Sequence, residues 1–250
     1  MALTGLDIFK LLPKSNCKKC GMPTCLAFAM QLAQKKAKLD DCPCASEEAR
    51  ESLSAAAAPP MRQIKFGSGD NQVSAGQETV LFRHDEKFYS PTIVAVTVSD
   101  KLTGDELQKR VDTINALQFE RVGCKIGVTA IAVVNDSGEA DAFAVAAAKT
   151  DELSDLALIL CSDSPEAMAA ATAKTSGSKP LIASATLDTV EAMAKIAKES
   201  KCPIVAKAGS LSDLEDLTIK IVAQGVEDIV LSFDGMTLEQ ELRSLTDARE

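Results

Sequence analysis

From Thr92 onward the apolar positions fall into short runs: TIVAVTV from 92, VTAIAVV from 128, LALIL from 156, PLIASA from 180, PIVAKA from 203 and DIVLSF from 228. Each run reads as a β-strand. Amphipathic helical patterns such as GDELQKRVDTINAL, PEAMAAATAK, VEAMAKIAKE, LSDLEDLTIKIVAQ and TLEQELRSLTDA lie between or after them. The repeat is therefore a βα unit, and right-handed crossovers make the sheet parallel. After the first unit the repeat is short and even, which fits an eight-fold βα barrel better than a doubly wound sheet. Only six units precede Glu250, and six strands cannot close a barrel of ordinary size. Two further units beyond residue 250, a partner that completes the sheet, or an open sheet would each satisfy the pattern. The expectation adopted is an α/β fold with an incomplete TIM-type (βα) barrel over residues 92–250.

The first 58 residues read differently. Thr4 is placed to cap a short helix through Leu6 and Phe9, with Asp7 three residues on, and Pro13 ends it. A cysteine-rich loop follows, then a helix from about Cys25 to Lys38 with Leu26, Met30, Ala33 and Ala37 on one face. A third helix is expected after Ser46, with Glu47 and Glu48 in its first turn. The AAAAPP run at 55–60 closes this module. Residues 59–91 read as a linker and hairpin segment, with QIKF and TVLF as its strands around a glycine-rich stretch.

Composition narrows the class. Hydrophobic residues at 46% and charged residues at 25% are those of a globular chain, while Trp 0, Tyr 1 and Phe 8 leave an aliphatic core. A formal charge of −9 repels a phosphate backbone, which argues against nucleic acid. The start lacks the apolar stretch of a secretory signal, and no run is long enough to span a bilayer, so a cytoplasmic protein with no membrane partner is expected. In that reducing setting the 8 cysteines are not a disulfide framework. Cys17, Cys20, Cys25, Cys42 and Cys44 crowd together, and Cys124, Cys161 and Cys202 sit singly beside apolar segments, where they read as small buried hydrophobes.

The spacing Cys17-x2-Cys20-x4-Cys25-x16-Cys42 suits a cuboidal iron-sulfur cluster: three thiolates come from one tight loop and the fourth returns after a helix. Gly21 can adopt positive φ and turn backbone N–H groups toward cluster sulfides, and Thr24 can cap the helix whose positive end faces the anionic cluster. Lys18 and Lys19 favour the reduced, more negative form. The alternative is a structural zinc site, whose thiols more often come as two short knuckles. Cys44 lies two residues from Cys42 and could replace it as the fourth ligand. Cys42 is the expectation, because it opens a Cys-Pro pair.

The stretches LLPKSNCKKCGMPTCLAFAMQLA, DDCP, AAAAPP, ETVLFRHDEKFYSPT, VSDKLTGDEL and FERVG resemble, in the same order, those of the large, or gamma, subunit of the corrinoid/iron-sulfur protein of the acetyl-CoA decarbonylase/synthase system. The resemblance implies an N-terminal 4Fe-4S domain, a barrel domain and a C-terminal corrinoid domain. It implies that the cluster passes the electron that restores Co(II) to Co(I). The cobalt then takes a methyl group from a methyl-pterin and delivers it to acetyl-CoA synthase. By motif, Cys17, Cys20, Cys25 and Cys42 become the cluster ligands. A small subunit forming a heterodimer, a methyl-pterin:corrinoid methyltransferase and acetyl-CoA synthase become the partners. Cys44 is not required by the family motif, and the corrinoid would be held by a domain outside these 250 residues.

Ser99, Asp100, Asn135, Ser162, Asp163, Lys207 and Asp234 follow predicted strands, on the face where barrel enzymes place their chemistry. An Asp and Asn set there could bind a pterin ring, which makes a pterin-dependent methyltransferase with an accessory cluster the competing function. The plainer reading is that these residues cap the following helices. His84 is the single histidine, so a site built on two histidines is excluded, and pairing with Asp85 accounts for it. Gly67-Ser68-Gly69 is too short and unframed for a phosphate loop.

Overall fold

The computed structural model describes residues 5–33, 37, 41–46, 61–69, 72–77 and 91–249. Contacts divide the chain into two compact units, Met1–Met61 and Arg62–Glu250.

In the first unit, helix α1 (Gly5–Leu11) packs on α2 (Cys25–Ala33). Pro13, which has no N–H to donate, follows the end of α1. As the sequence predicts, Thr24 caps α2: its hydroxyl accepts a hydrogen bond from the Ala27 N–H at 3.0 Å. The core is small. Ile8, Leu12, Phe28, Ala29 and Cys42 are buried in one cluster, with Phe9, Cys20, Met22 and Cys44 packed against it. Thr4, the remainder of the predicted second helix except Ala37, and the helix expected after Ser46 lie outside the described residues.

The second unit begins with an antiparallel hairpin of β1 (Ile64–Phe66) and β2 (Val73–Ala75). QIKF thus pairs with Val73–Ala75, which the sequence reading assigned to the turn; TVLF and His84 lie outside the described residues. At the base of the hairpin Gly76 has φ +85°, and a Cβ there would stand 2.2 Å from the Arg62 carbonyl oxygen, so only glycine fits. Arg62 reaches Glu227 at 2.6 Å and Asp228 at 2.8 Å.

Six parallel strands follow: β3 (Ala95–Ser99), β6 (Ala130–Val134), β7 (Ala157–Cys161), β8 (Leu181–Ala185), β9 (Ile204–Ala208) and β10 (Ile229–Phe233). Their order across the sheet is their order along the chain, with β3 and β10 at the two edges. A doubly wound sheet reverses that order at a switch point; this one does not, and that is the winding of a TIM-type barrel. The expected partial barrel is therefore the architecture of this unit. Crossovers are made by α3 (Gly104–Asn115), α4 (Ala140–Leu153), α5 (Pro165–Lys174), α6 (Val190–Ser200) and α7 (Leu211–Ala223), and α8 (Leu238–Asp247) follows β10.

Alternate strand residues face the helices. Val133, Leu158, Leu160, Ile182, Ile204 and Phe233 pack there with Phe143, Met168, Met193, Leu214 and Leu217. On the other face Ala130, Ala157, Leu181 and Val205 gather around Phe66 and Val73 of the hairpin. The hairpin therefore covers that face near the N-terminal ends of the strands, held by the Gly67 N–H to the Lys179 carbonyl at 2.9 Å.

Helix α4 is not among the helical patterns named from the sequence, and one hairpin has no counterpart there either. Between α3 and β6 the chain forms a second hairpin, β4 (Gln118–Arg121) with β5 (Cys124–Gly127), Phe119 opposite Ile126. Phe119, Val122 and Ile126 are exposed on it, and so is Cys124, which corrects its reading as a buried hydrophobe. Cys202 is buried as expected and Cys161 half-buried.

Candidate metal centre

All five clustered cysteines lie in the first unit, and each has its own environment. Cys17 is exposed, Cys20 and Cys44 are half-buried, and Cys25 and Cys42 are buried. Cys25 is held at the start of α2 by a reciprocal pair. Its backbone N–H donates to Asn16 Oδ1 at 2.8 Å, and its Sγ accepts from the Asn16 N–H at 3.3 Å. Asn16 manages this with φ +46°, a conformation asparagine tolerates better than most residues. The sequence reading gave Asn16 no role; its position directly before the first cysteine was the available signal.

Gly21 has φ +78°, as anticipated, but its N–H donates to the Lys18 carbonyl at 3.1 Å and closes a turn of the cysteine loop. The sulfurs of Cys17 and Cys44 stand 3.7 Å apart. The Lys19 backbone N–H, and then the Cys44 thiol, hold the Cys17 thiol below its ordinary pKa. Cys44 is raised, first because it hydrogen-bonds Cys17 and then by burial. The contact thus makes Cys17 the more acidic of the two thiols.

Among the described residues no three His, Cys, Asp or Glu side chains are arranged around a common metal-ion position. What the unit does offer is a soft donor set: cysteine sulfurs on a loop, a capped helix and a return turn, with Cys20, Cys42 and Cys44 against one core. Such donors suit an iron-sulfur cluster or zinc, and only a cluster adds redox chemistry. Cys42 is the buried member of the Cys-Pro-Cys turn, and Cys44 is the one that meets Cys17.

The residues expected at the C-terminal ends of the strands are used mostly to tie those ends together. Asp100 is 2% exposed, and its carboxylate accepts from the Asp136 N–H, the Ser137 N–H and the Ser137 hydroxyl, fastening the β6–α4 loop. Asn135 donates to the Ser162 hydroxyl at 2.9 Å and accepts from the Gly138 N–H at 3.0 Å. Ser162 in turn accepts from the Ser164 N–H, and Ser164, not Ser162, caps α5. Ser99 ends β3 and accepts from the Lys101 N–H. Lys207 is the fourth residue of β9 and does not follow the strand; it pairs with Asp234 at 2.8 Å. That pair raises Lys207 and lowers Asp234 from their ordinary values. Asp163 acts on this end by charge, helping to raise the Cys161 thiol. Two surface depressions, each about 400 Å³, are lined around residues 152–156 and Gly67–Gly69, away from these strand ends.

A thiol-rich helical module followed by a singly wound parallel sheet defines the class: an iron-sulfur type module joined to a partial TIM-type barrel. A family model described as "Putative Fe-S cluster" matches residues 12–44, and one described as CO dehydrogenase/acetyl-CoA synthase delta subunit matches residues 63–249. The chain belongs to the CO dehydrogenase/acetyl-CoA synthase delta subunit family. It is 44% identical over 249 residues to the corrinoid/iron-sulfur protein large subunit of Moorella thermoacetica, covering 100% of this chain and 56% of that protein. The acetyl-CoA decarbonylase/synthase complex subunit gamma of Methanothermobacter thermautotrophicus is 38% identical over 232 residues, 92% of this chain and 50% of the relative. That of Methanopyrus kandleri is 36% identical over 230 residues, 92% and 49%. The resemblance to large, or gamma, subunits drawn from the motifs is thus borne out. The chain spans about half the length of these relatives.

Proposed function

We propose that Cys17, Cys20, Cys25 and Cys42 hold one 4Fe-4S cluster and that the protein serves as the iron-sulfur component of a corrinoid methyl-transfer system in the acetyl-CoA pathway. When bound, the cluster supplies one-electron chemistry, here the return of a Co(II) corrinoid to nucleophilic Co(I) ahead of methyl transfer from a methyl-pterin to acetyl-CoA synthase. Cys17, Cys20 and Cys25 would bind from the loop and the first residue of α2, and Cys42 from the return turn. The capped N-terminus of α2 and the Asn16 N–H would orient and stabilise the thiolate of Cys25. The corrinoid belongs to a domain outside these residues. The partners are a small corrinoid/iron-sulfur subunit in a heterodimer, a methyl-pterin:corrinoid methyltransferase and acetyl-CoA synthase.

One observation carries the reading: the four cysteines in this spacing fall inside the Fe-S family match of a chain whose similarity to an iron-sulfur corrinoid protein runs end to end. The proposed domains are a cluster domain over 1–58, a linker and hairpin over 59–91 and the barrel over 92–250; the division after Met61 lies close to the first of these boundaries, and residues 62–91 fall in the same unit as the barrel.

The test is metal and sulfide analysis of anaerobically prepared protein. About four iron and four sulfide per chain are expected, with a brown absorbance that bleaches on reduction. Cys20→Ala should lose that absorbance. A normal cluster in Cys20→Ala, or one zinc with no iron in the parent, overturns the assignment.

A further inference from the structure

We propose that Cys44 is an oxidation partner for Cys17: a disulfide between them withdraws Cys17 from the metal site, and a thiol reductant restores it. The pairing stands on the geometry of the chain. Its consequence for metal loading rests on the cluster proposed above.

Cys17 and Cys44 are 27 residues apart in sequence, yet their sulfurs are 3.7 Å apart. The fold brings them together, since nothing local does. Cys42, two residues earlier, is 4% exposed and packs with Ile8, Leu12 and Phe28. Cys17 is exposed and Cys44 half-buried, so a small oxidant reaches both. Cys17 lies in an irregular stretch and Cys44 in a turn closed by the Ala45 N–H to the Cys42 carbonyl. A bond of about 2.05 Å requires these two irregular segments to draw closer.

The chemistry is thiol–disulfide exchange with a small-molecule disulfide such as glutathione disulfide. One protein thiolate attacks a sulfur of the oxidant, forming a mixed disulfide and releasing one glutathione thiolate. The other protein thiolate then attacks the protein sulfur of the mixed disulfide, forming Cys17–Cys44 and releasing the second glutathione. Two protein thiols are oxidised by two electrons, one glutathione disulfide is reduced, and the two protons pass to the departing glutathione thiolates. Reduction by a dithiol reverses both steps.

The experiment uses the full chain, freed of metal by anaerobic chelation and then treated with glutathione disulfide. Free thiols are alkylated and unreduced peptides are mapped by tandem mass spectrometry. Cleavage after Lys18 separates Cys17 from Cys20, and the spectra distinguish Cys42 from Cys44. The expected product is the Cys17 peptide joined to Cys44. Cys17 joined to Cys20 or Cys42, or left unpaired while other thiols couple, overturns the proposal. Anaerobic uptake of iron and sulfide reads the consequence. Oxidised parent protein should fail to take up iron and regain uptake after dithiothreitol, while oxidised Cys44→Ser takes it up without reductant. Oxidised Cys44→Ser that still fails overturns the proposal that the Cys17–Cys44 disulfide is what withdraws Cys17 from the metal site. Reduced Cys44→Ser that fails identifies Cys44 as a ligand and overturns the proposal. Reduced parent protein that binds no iron, while the oxidised sample yields the Cys17–Cys44 peptide, sinks the cluster and leaves the pairing standing.

Discussion

At the scale of single residues, the structure separates positions that look alike in the sequence. Gly76 is one of several glycines around the first hairpin, and it combines a positive φ with a Cβ position 2.2 Å from a backbone oxygen. Gly76→Ala should cost about 1–3 kcal/mol, read as a lower urea midpoint, because neither the φ nor the Arg62 carbonyl can relax cheaply. The single cysteines diverge in the same way. Burial, with the nearby Asp163 carboxylate, pushes the Cys161 thiol up to about 11, while Cys124 is exposed on a hairpin. At pH 8 iodoacetamide should label Cys124 well before Cys161, and the Cys161 rate should keep climbing toward pH 11. Between the ordinary value of 9.0 and about 11 the folded chain holds a Cys161 proton that the unfolded chain releases, so stability should fall as pH rises through that window. Asp100 teaches a related lesson: a carboxylate after a strand suggested a cap or a ligand site, and the fold uses it to hold a neighbouring loop.

At the scale of elements, periodicity located the six strands and five named helices of the second unit, because each is a short run with one strong pattern. Two of its misses have a common cause. The β1 partner Val73–Ala75 and the β4–β5 hairpin are brief, and their pairing depends on what lies across the turn rather than on their own alternation. Helices α7 and α8 show how burial departs from pattern. Both carry apolar residues at helical spacing, but Leu214 of α7 is 1% exposed whereas Leu242 of α8 is 67% exposed. Leu214→Ala should destabilise by about 2–5 kcal/mol in denaturant titration. Leu242→Ala should change stability by less than about 0.5 kcal/mol. Equal effects would mean that the face of α8 is covered in solution.

At the scale of the molecule, the two units differ in what can hold them together. The second unit has an extensive apolar core between its sheet and helices, whereas the buried cluster among the described residues of the first is Ile8, Leu12, Phe28, Ala29 and Cys42. The iron-sulfur cluster proposed above would add cross-links between the loop, α2 and the return turn. Removing iron by anaerobic chelation should therefore broaden or abolish hydrogen-exchange protection in α1 and α2 and leave that of β6–β9 unchanged. Undiminished protection in α2 after iron removal would show that the apolar contacts suffice.

The sequence by itself determined the two-part layout, the parallel βα winding and the set of thiols from which a metal site can be drawn. These are properties of periodicity and spacing, which a linear chain carries directly. The tertiary structure alone decided which of those thiols meet, which strand-end polar groups are consumed in loop ties, and which apolar faces are covered. Each depends on groups far apart along the chain arriving within a few ångströms, as Cys17 and Cys44 do, and a one-dimensional pattern has no term for that distance.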